Sequence, residues 1–325
     1  MDLKGKKVLI TGGLGFIGSN LAHRLLSLGS DVSIYDCMDP CSGGNLYNIH
    51  DIKNDVELTF NDIEHFESLS NAICGKDLVF NCAARTSHPA SMQDPLTNID
   101  VNCTGVINLL EAIRRFEPDC RIVHIGTSTQ LGRLQYRPAD ENHPEYPTDI
   151  YSANKSVSEK YTMIYATGHG LHANVVRLSN VYGPRACINS AEFTFNNYFI
   201  GLALSGKDIT VFGSGDQKRN LIYVDDAVDA LIKVGSNNIS GETFFAVGDE
   251  HYSVKEIAYN TVKHIGSGNV VEVQWPNERK AIEIGDAILS NNKIKQEIGW
   301  SPSTILEEGL KKTFDYFSGC LDKYL

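Results

Sequence analysis

Residues 7–18 read KVLITGGLGFIG. The short apolar run Lys7–Thr11 ends in a cluster of glycines, and apolar residues then recur at helical spacing from Phe16 to Leu28, stopping at Gly29. This predicts a buried strand turning sharply into a helix. The glycines satisfy two overlapping patterns, Gly12-x-x-Gly15-x-x-Gly18 and Gly13-x-Gly15-x-x-Gly18. Glycine at such a turn lets the main chain approach a pyrophosphate, while the helix N-terminus offers N–H groups and a positive dipole end. Taken alone the pattern is weak, because any tight strand–helix turn favours glycine. Its place between a strand and a helix raises its weight.

Further along, the same alternation continues. Strands are predicted at Asp31–Tyr35, Val56–Phe60, Leu78–Ala83, Arg121–Gly126 and Ala173–Leu178, with helices at 65–73, 95–115 and 149–167. Short strands that are apolar on both faces, separated by helices, predict a parallel sheet covered on both sides, an α/β doubly wound fold. The dinucleotide-binding domain is expected to occupy residues 1–180, with 220–237 returning to it. A smaller α/β substrate lobe follows over 181–325, with helices at 191–205, 254–264 and 305–317 and short strands near Ile209 and Leu221.

Asp36 ends the second strand, 18 residues after Gly18. A carboxylate there accepts both hydroxyls of an adenosine ribose and repels a 2′-phosphate, which favours NAD over NADP. The plainer alternative is that Asp36 caps a strand. Asp62, after the third strand, is read either as a contact to the adenine edge or as a helix cap.

The chain of 325 residues carries a net charge of −11, which argues against a nucleic-acid-binding face. Its eight cysteines include no C-x-x-C pair and no cluster with zinc spacing, so they read as reduced thiols in a cytoplasmic protein, with no metal site. No secretory signal and no membrane-spanning apolar run is visible.

Residues 151–155 read YSANK, which places Tyr151 and Lys155 on one face of a helix. An ammonium beside a phenol favours phenolate, and a phenolate can take the proton of a sugar hydroxyl as hydride leaves the carbon. Thr127, at the end of the fifth strand, can hydrogen-bond the same hydroxyl.

TGGLGFIGSN, NCAARTS, VNCTGVINLLEA, YSANK, RLSNVYGPR and RNLIYVDDAVDA together resemble the extended short-chain dehydrogenase/reductase family, and within it the NAD-dependent nucleotide-sugar epimerases and dehydratases such as UDP-glucose 4-epimerase. The likeness runs to the C-terminal IGWSPSTILEEGL. It implies a Rossmann fold with NAD held by Gly12, Gly15, Phe16, Ile17, Gly18, Asp36, Asp62, Ile63, Ala83, Ala84, Asn102 and Lys155. It implies a catalytic set of Thr127, Tyr151 and Lys155, and a nucleotide-diphosphate sugar held by Ser87, Ser128, Asn180, Arg219 and Arg279. Arg85 and His88 are placed either at the sugar ring or on the rim. A salt bridge to Asp225 or Asp226 is the alternative for Arg219. The likeness further implies a homodimer joined by a four-helix bundle from the helices at 95–115 and 149–167. Two positions depart from the pattern, Ser179 in place of an aromatic residue and Asn220 in place of an acid.

The turn TSTQLG, residues 127–132, narrows the reaction. Related 4,6-dehydratases carry an acid, often an Asp-Glu pair, just after the hydroxyl residue, and related uronic-acid decarboxylases carry a glutamate at the second position. Here those positions are Ser128 and Thr129. Without a carboxylate, water loss lacks a general acid and base, each a contribution of roughly 10²–10⁴-fold. C4 oxidation and hydride return remain, giving a 4-epimerase. The competing readings are a C4 oxidase or reductase, a dehydratase using Asp140 or Glu141, and a regulator without chemistry. Intact Thr127, Tyr151 and Lys155 argue against the last.

Overall fold

The structure is a computed structural model that describes residues 1–39, 42–265, 267–276 and 283–325. Six expected strands form: β1 Lys7–Thr11, β2 Asp31–Asp36, β3 Val56–Phe60, β4 Leu78–Asn81, β5 Arg121–Thr127 and β6 Ala173–Leu178. Two short strands follow, β7 Asn180–Tyr182 and β8 Ile209–Phe212, then β9 Lys218–Tyr223, β10 Thr243–Ala246, β11 His251–Ser253 and β12 Val270–Val273. The main sheet has seven parallel strands in the order β10-β6-β5-β4-β1-β2-β3. The chain starts in the middle, winds outward to β3, then crosses back over β1 to β4. That reversal opens a crevice at the C-terminal ends of β1 and β4, where doubly wound sheets bind ligands. Val8, Ile10, Val32, Leu78, Phe80 and Val176 are fully buried, as strands covered on both faces require.

Helices α1 Phe16–Ser27, α2 Phe66–Ile73, α3 His88–Gln93, α4 Pro95–Ile99, α5 Gly105–Phe116 and α6 Ile150–His169 belong to this half. The helix expected over 95–115 is interrupted by a π-helical stretch at Asp100–Thr104, between α4 and α5. At its end Gly105 presses on Ile63, where an added Cβ would lie 2.4 Å from a methyl carbon. The helix expected from Ala191 starts later, as α7 Phe195–Leu204. α8 Val224–Ser236 packs back on α1, β5 and β6, and the main sheet also takes in β10, beyond the stretch 220–237 expected to return. α9 Val254–Ile265, α10 Asn292–Ile298 and α11 Leu306–Ser318 complete the described α-helices.

One buried charge cluster braces α6 against β6. Arg177, only 3% exposed, pairs with Glu159 at 2.6 Å and with Glu145 at 2.7 Å. Gln130 donates to both glutamates, and Thr243 of β10 donates to Glu159. Arg177→Leu leaves Glu159, 6% exposed, without its guanidinium partner in a dry interior, while Glu145 keeps Lys160, and is expected to destabilise by about 3–5 kcal/mol, read as a lower denaturant midpoint.

Candidate active site

The glycine turn is held by close main-chain approaches. Gly12 has φ +67°, and a Cβ on it would lie 2.7 Å from the Ala83 nitrogen. On Gly18 a Cβ would lie 2.3 Å from the Gly12 oxygen, so α1 can leave β1 at this angle only with glycine at 18. Phe16 and Ile17 open α1 and pack half-buried against the core. A cavity of about 350 Å³ adjoins the turn and is lined by Gly12, Gly15, Asp36 and Asp62. Ile63, Ala83, Ala84 and Arg85 line it as well.

Asp36 accepts from the Leu14 N–H at 2.9 Å and from the Met38 N–H at 2.8 Å. Burial pushes its carboxyl above the ordinary range, and those two N–H groups pull it back only in part. Both of its oxygens therefore face donors, and the residue borders the cavity. Asp62 does not cap α2, a role taken by His65. Its carboxylate accepts from the Glu64 N–H at 3.1 Å and borders the cavity. Asn102 lies in the π-helical stretch, where its amide closes on the Arg85 main chain, accepting at 3.2 Å and donating at 2.9 Å. It shapes the loop that lines the cavity and is not itself among the lining residues. Asn98 accepts from both Asn102 and Asn154, which ties that loop to α6.

α6 carries Tyr151 and Lys155, both buried. Asp149 caps the helix by accepting the Ser152 N–H at 2.8 Å, and the Tyr151 N–H donates to Ser91 at 3.1 Å. The Lys155 ammonium lies 3.3 Å from His124 Nε2 of β5. Burial lowers it to about 8, with Glu159 pulling the other way. Burial, with the Lys155 charge, holds His124 well below its ordinary value, so the imidazole is neutral.

The expected lowering of the phenol by Lys155 is not found. Burial pushes Tyr151 up, the nearby Thr127 hydroxyl pulls down, and the Asp149 carboxylate pushes up again. Helical spacing places the two side chains on one face, but the ammonium turns toward His124, Cys82 and Cys103.

Thr127 ends β5, and Ser128–Leu131 form a single 3₁₀ turn. The Thr127 hydroxyl accepts from the Thr129 N–H at 3.3 Å and meets the Thr129 hydroxyl at 3.1 Å. Gln130, fully buried, pins the turn from below to Glu145 and Glu159. Glu141 is fixed on the Phe245 N–H at 2.7 Å, and Asp140 accepts from Tyr136 at 2.6 Å.

The residues expected to meet substrate are less uniformly placed. Arg85 pairs with Asp39 at 3.0 Å and with Asp94 at 3.4 Å at the cavity mouth. Ser87 caps α3 and donates to Glu192 at 3.2 Å. Asn180 donates to the Asn220 carbonyl at 2.9 Å. Arg219 is taken up by Glu283 at 2.8 Å and by the Gly285 carbonyl at 2.7 Å. The salt bridge offered as its alternative is absent among the described residues, because Asp226 accepts instead from Ser303 and Thr304. Arg279 lies outside the described residues. Among the described residues no group of His, Cys, Asp and Glu could hold a metal, and no helix is long and apolar enough to cross a membrane.

Sequence reasoning missed one feature beside Tyr151. His88 Nδ1 donates to the Asp149 carboxylate at 2.8 Å, and its ring stands edge-on to Tyr151 with centroids 4.9 Å apart. The pattern Asp149-x-x-Ser152 signals a helix cap, but nothing in it points to a histidine 61 residues away.

A model of the GDP-mannose 4,6-dehydratase family matches residues 9–313. The chain belongs to this family. Membership places it among the extended short-chain dehydrogenase/reductase enzymes of nucleotide-sugar chemistry, and the matched span takes in every described site residue above. The chain is 30% identical to UDP-glucuronic acid decarboxylase 1 of Xenopus tropicalis, over 96% of this chain and 72% of that one. It is 28% identical to UDP-glucose 4-epimerase of Mycolicibacterium smegmatis, over 96% and 98%. The solved UDP-glucose 4-epimerase of Thermus thermophilus, a complex with NAD, superimposes with a TM-score of 0.86 at 27% identity, over 97% of this chain and 99% of that one. These relatives carry different activities, so the reaction is decided by residues rather than by overall likeness.

The depressed Lys155 has a consequence for stability. Its folded value of about 8 lies below the ordinary 10.5, so the unfolded chain binds more protons between those values and stability rises with pH there. Lys155→Met is expected to raise the melting temperature at pH 7, and the gain should fade between about pH 8 and pH 10.5. Calorimetric melts across that range check it.

Proposed function

We propose that this protein is an NAD-dependent nucleotide-sugar 4-epimerase. The observation that carries the reading is the turn beside Tyr151, which presents the hydroxyls of Thr127 and Thr129, while Asp140 and Glu141 are engaged elsewhere. A carboxylate at the second position would suit decarboxylation or water loss; a hydroxyl suits only the steadying of a carbonyl oxygen.

The residues present fit NAD. Gly12 and Gly18 leave no room for a Cβ against the Ala83 and Gly12 main chain, which keeps the strand–helix turn tight enough for a pyrophosphate to lie at the start of α1. Asp36 stands at the cavity wall where a ribose would present its hydroxyls. Gly12, Gly15, Phe16, Ile17, Gly18, Asp36, Asp62, Ile63, Ala83, Ala84 and Lys155 would hold the cofactor, with Asn102 supporting them through the Arg85 loop. NAD, when bound, supplies a hydride acceptor and a fixed positive charge.

The chain's own residues handle the proton and the oxygen. Tyr151, a phenol at neutral pH because it is buried, becomes a base once positive charge stands beside it. It takes the C4 hydroxyl proton, and Thr127 donates to the carbonyl oxygen that forms. The 4-keto sugar turns over, so that C4 would take the hydride back on its opposite face while Tyr151 returns the proton to the same C4 oxygen. Ser87, Ser128, Asn180 and Arg85 line the sugar side. Arg219 meets the diphosphate by leaving Glu283, which is a bidentate exchange a guanidinium is suited to.

A second copy of the chain covers the outer helices. Leu96 of α4 is 72% exposed and Ile164 of α6 56%, both on helices whose other faces are buried. Leu96→Glu with Ile164→Glu is expected to turn a dimer into a monomer in sedimentation equilibrium.

Incubation with UDP-, GDP-, CDP- and dTDP-sugars tests the reaction. The expected result is a C4 epimer with no net NADH, lost by at least about 10²-fold in Tyr151→Phe. A 4-keto sugar with stoichiometric NADH would indicate an oxidase, and a product lighter by one water a dehydratase.

A further inference from the structure

A carboxylate already sits on the arginine read as the diphosphate contact. The Arg219 side chain is 14% exposed and the Glu283 side chain 25%. Glu283 Oε1 accepts from Arg219 Nη2 at 2.8 Å and from the Gly285 N–H at 2.9 Å. A charged donor and a main-chain donor thus converge on one anionic oxygen. Among the described residues, nothing hydrogen-bonds to the other oxygen of Glu283.

The guanidinium does not need Glu283 to hold its place. Its Nη1 donates to the Lys218 carbonyl at 2.9 Å and to the Gly285 carbonyl at 2.7 Å. β9 and the segment beside it are also joined independently of Glu283. The Lys218 N–H donates to Asp286 at 2.9 Å, the Ala287 N–H to the Lys218 carbonyl at 2.9 Å, and Arg137 pairs with Asp286 at 3.2 Å. Taking the Glu283 carboxylate away therefore leaves Arg219 Nη2 and the Gly285 N–H aimed at the same point. That point is a seat for an oxygen bearing negative charge, and a phosphate oxygen meets a guanidinium on the same terms as a carboxylate oxygen.

We propose that Glu283 is a built-in competitor for the diphosphate of the nucleotide sugar, its carboxylate holding the seat on Arg219 until the diphosphate displaces it. The proposal rests on the reading of Arg219 as a diphosphate contact. The ligand takes only those molecules whose Arg219 is open, so its apparent affinity is reduced by that fraction. A diphosphate prevails over the carboxylate because it brings more charge and several oxygens to the same fork. A ligand without phosphates has no such claim on the seat, so the competition bears on diphosphates alone. Glu283 acts through Arg219 and is a positioning residue. An ion pair with a purely structural role predicts the opposite sign, because breaking it would loosen the site and weaken binding.

Calorimetric titration of the NAD-loaded protein with UDP, GDP, CDP and dTDP tests this. For the diphosphate that the parent binds most tightly, Glu283→Gln is expected to lower Kd by roughly 10-fold, as it would if Arg219 were open in about a tenth of the parent molecules. Glu283→Ala should lower it as much. The gain requires the arginine: Arg219→Gln should weaken binding, and adding Glu283→Gln to it should recover nothing. Glu256→Gln removes a carboxylate that pairs with Lys218 on the same strand, and it should leave Kd where it is. The matching nucleoside should bind the parent and Glu283→Gln alike. Unchanged or weaker diphosphate binding in both Glu283 variants, an equal gain in Glu256→Gln, or a gain that persists without Arg219 overturns the competitor. Diphosphate affinity undiminished in Arg219→Gln would instead remove the reading it rests on.

Discussion

A phenol and an ammonium are buried together on one face of α6, and most of the local structure answers to that. Neither group is comfortable in a dry wall. Burial holds Tyr151 in its protonated form and drags Lys155 down toward neutrality. Around them the chain supplies fixed polar partners. Asp149 caps the helix, Asn154 is tied through Asn98 to the cofactor-side loop, and Arg177 binds the far face of α6 to β6. The rigid floor keeps the two side chains at the crevice where the sheet reverses direction.

The glycine turn sets the other wall by the same kind of constraint. Gly18 lets α1 start against the Gly12 carbonyl, and Gly12 lets β1 lie against Ala83. The cavity lies between that turn, the Asp36 carboxylate at the end of β2 and the loop after β4. Thr127 comes from β5, one strand further across the sheet from β4. The chemistry is therefore assembled from the ends of neighbouring parallel strands, and the side chains at positions 128 and 129 decide which reaction such an assembly can run. Thr129 leads by hydrogen bonds to a histidine–carboxylate couple rather than presenting a carboxylate itself.

Much of this was legible in the sequence because its causes are local. Strand and helix periodicity gave the order of elements, and the glycine spacing with Asp36 gave the cavity wall. The spacing of Tyr151 and Lys155 gave a shared helix face. What local pattern could not give was where each polar group finds its partner. Lys155 turns to His124, Arg219 to Glu283, Asn102 to the Arg85 main chain, and His88 to Asp149. Each of these pairs joins residues far apart in the chain, and each is settled by packing. The π-helical stretch at Asp100–Thr104 was hidden for the same reason, since apolar spacing runs straight through it into α5.

The central claim is that hydride leaves C4 and returns to C4 with nothing lost from the sugar. The most direct measurement follows a nucleotide sugar deuterated at C4 by mass spectrometry and NMR. The account predicts an epimer of unchanged mass with the deuterium still on C4. Loss of water or carbon dioxide, or release of the label into free cofactor, would contradict it.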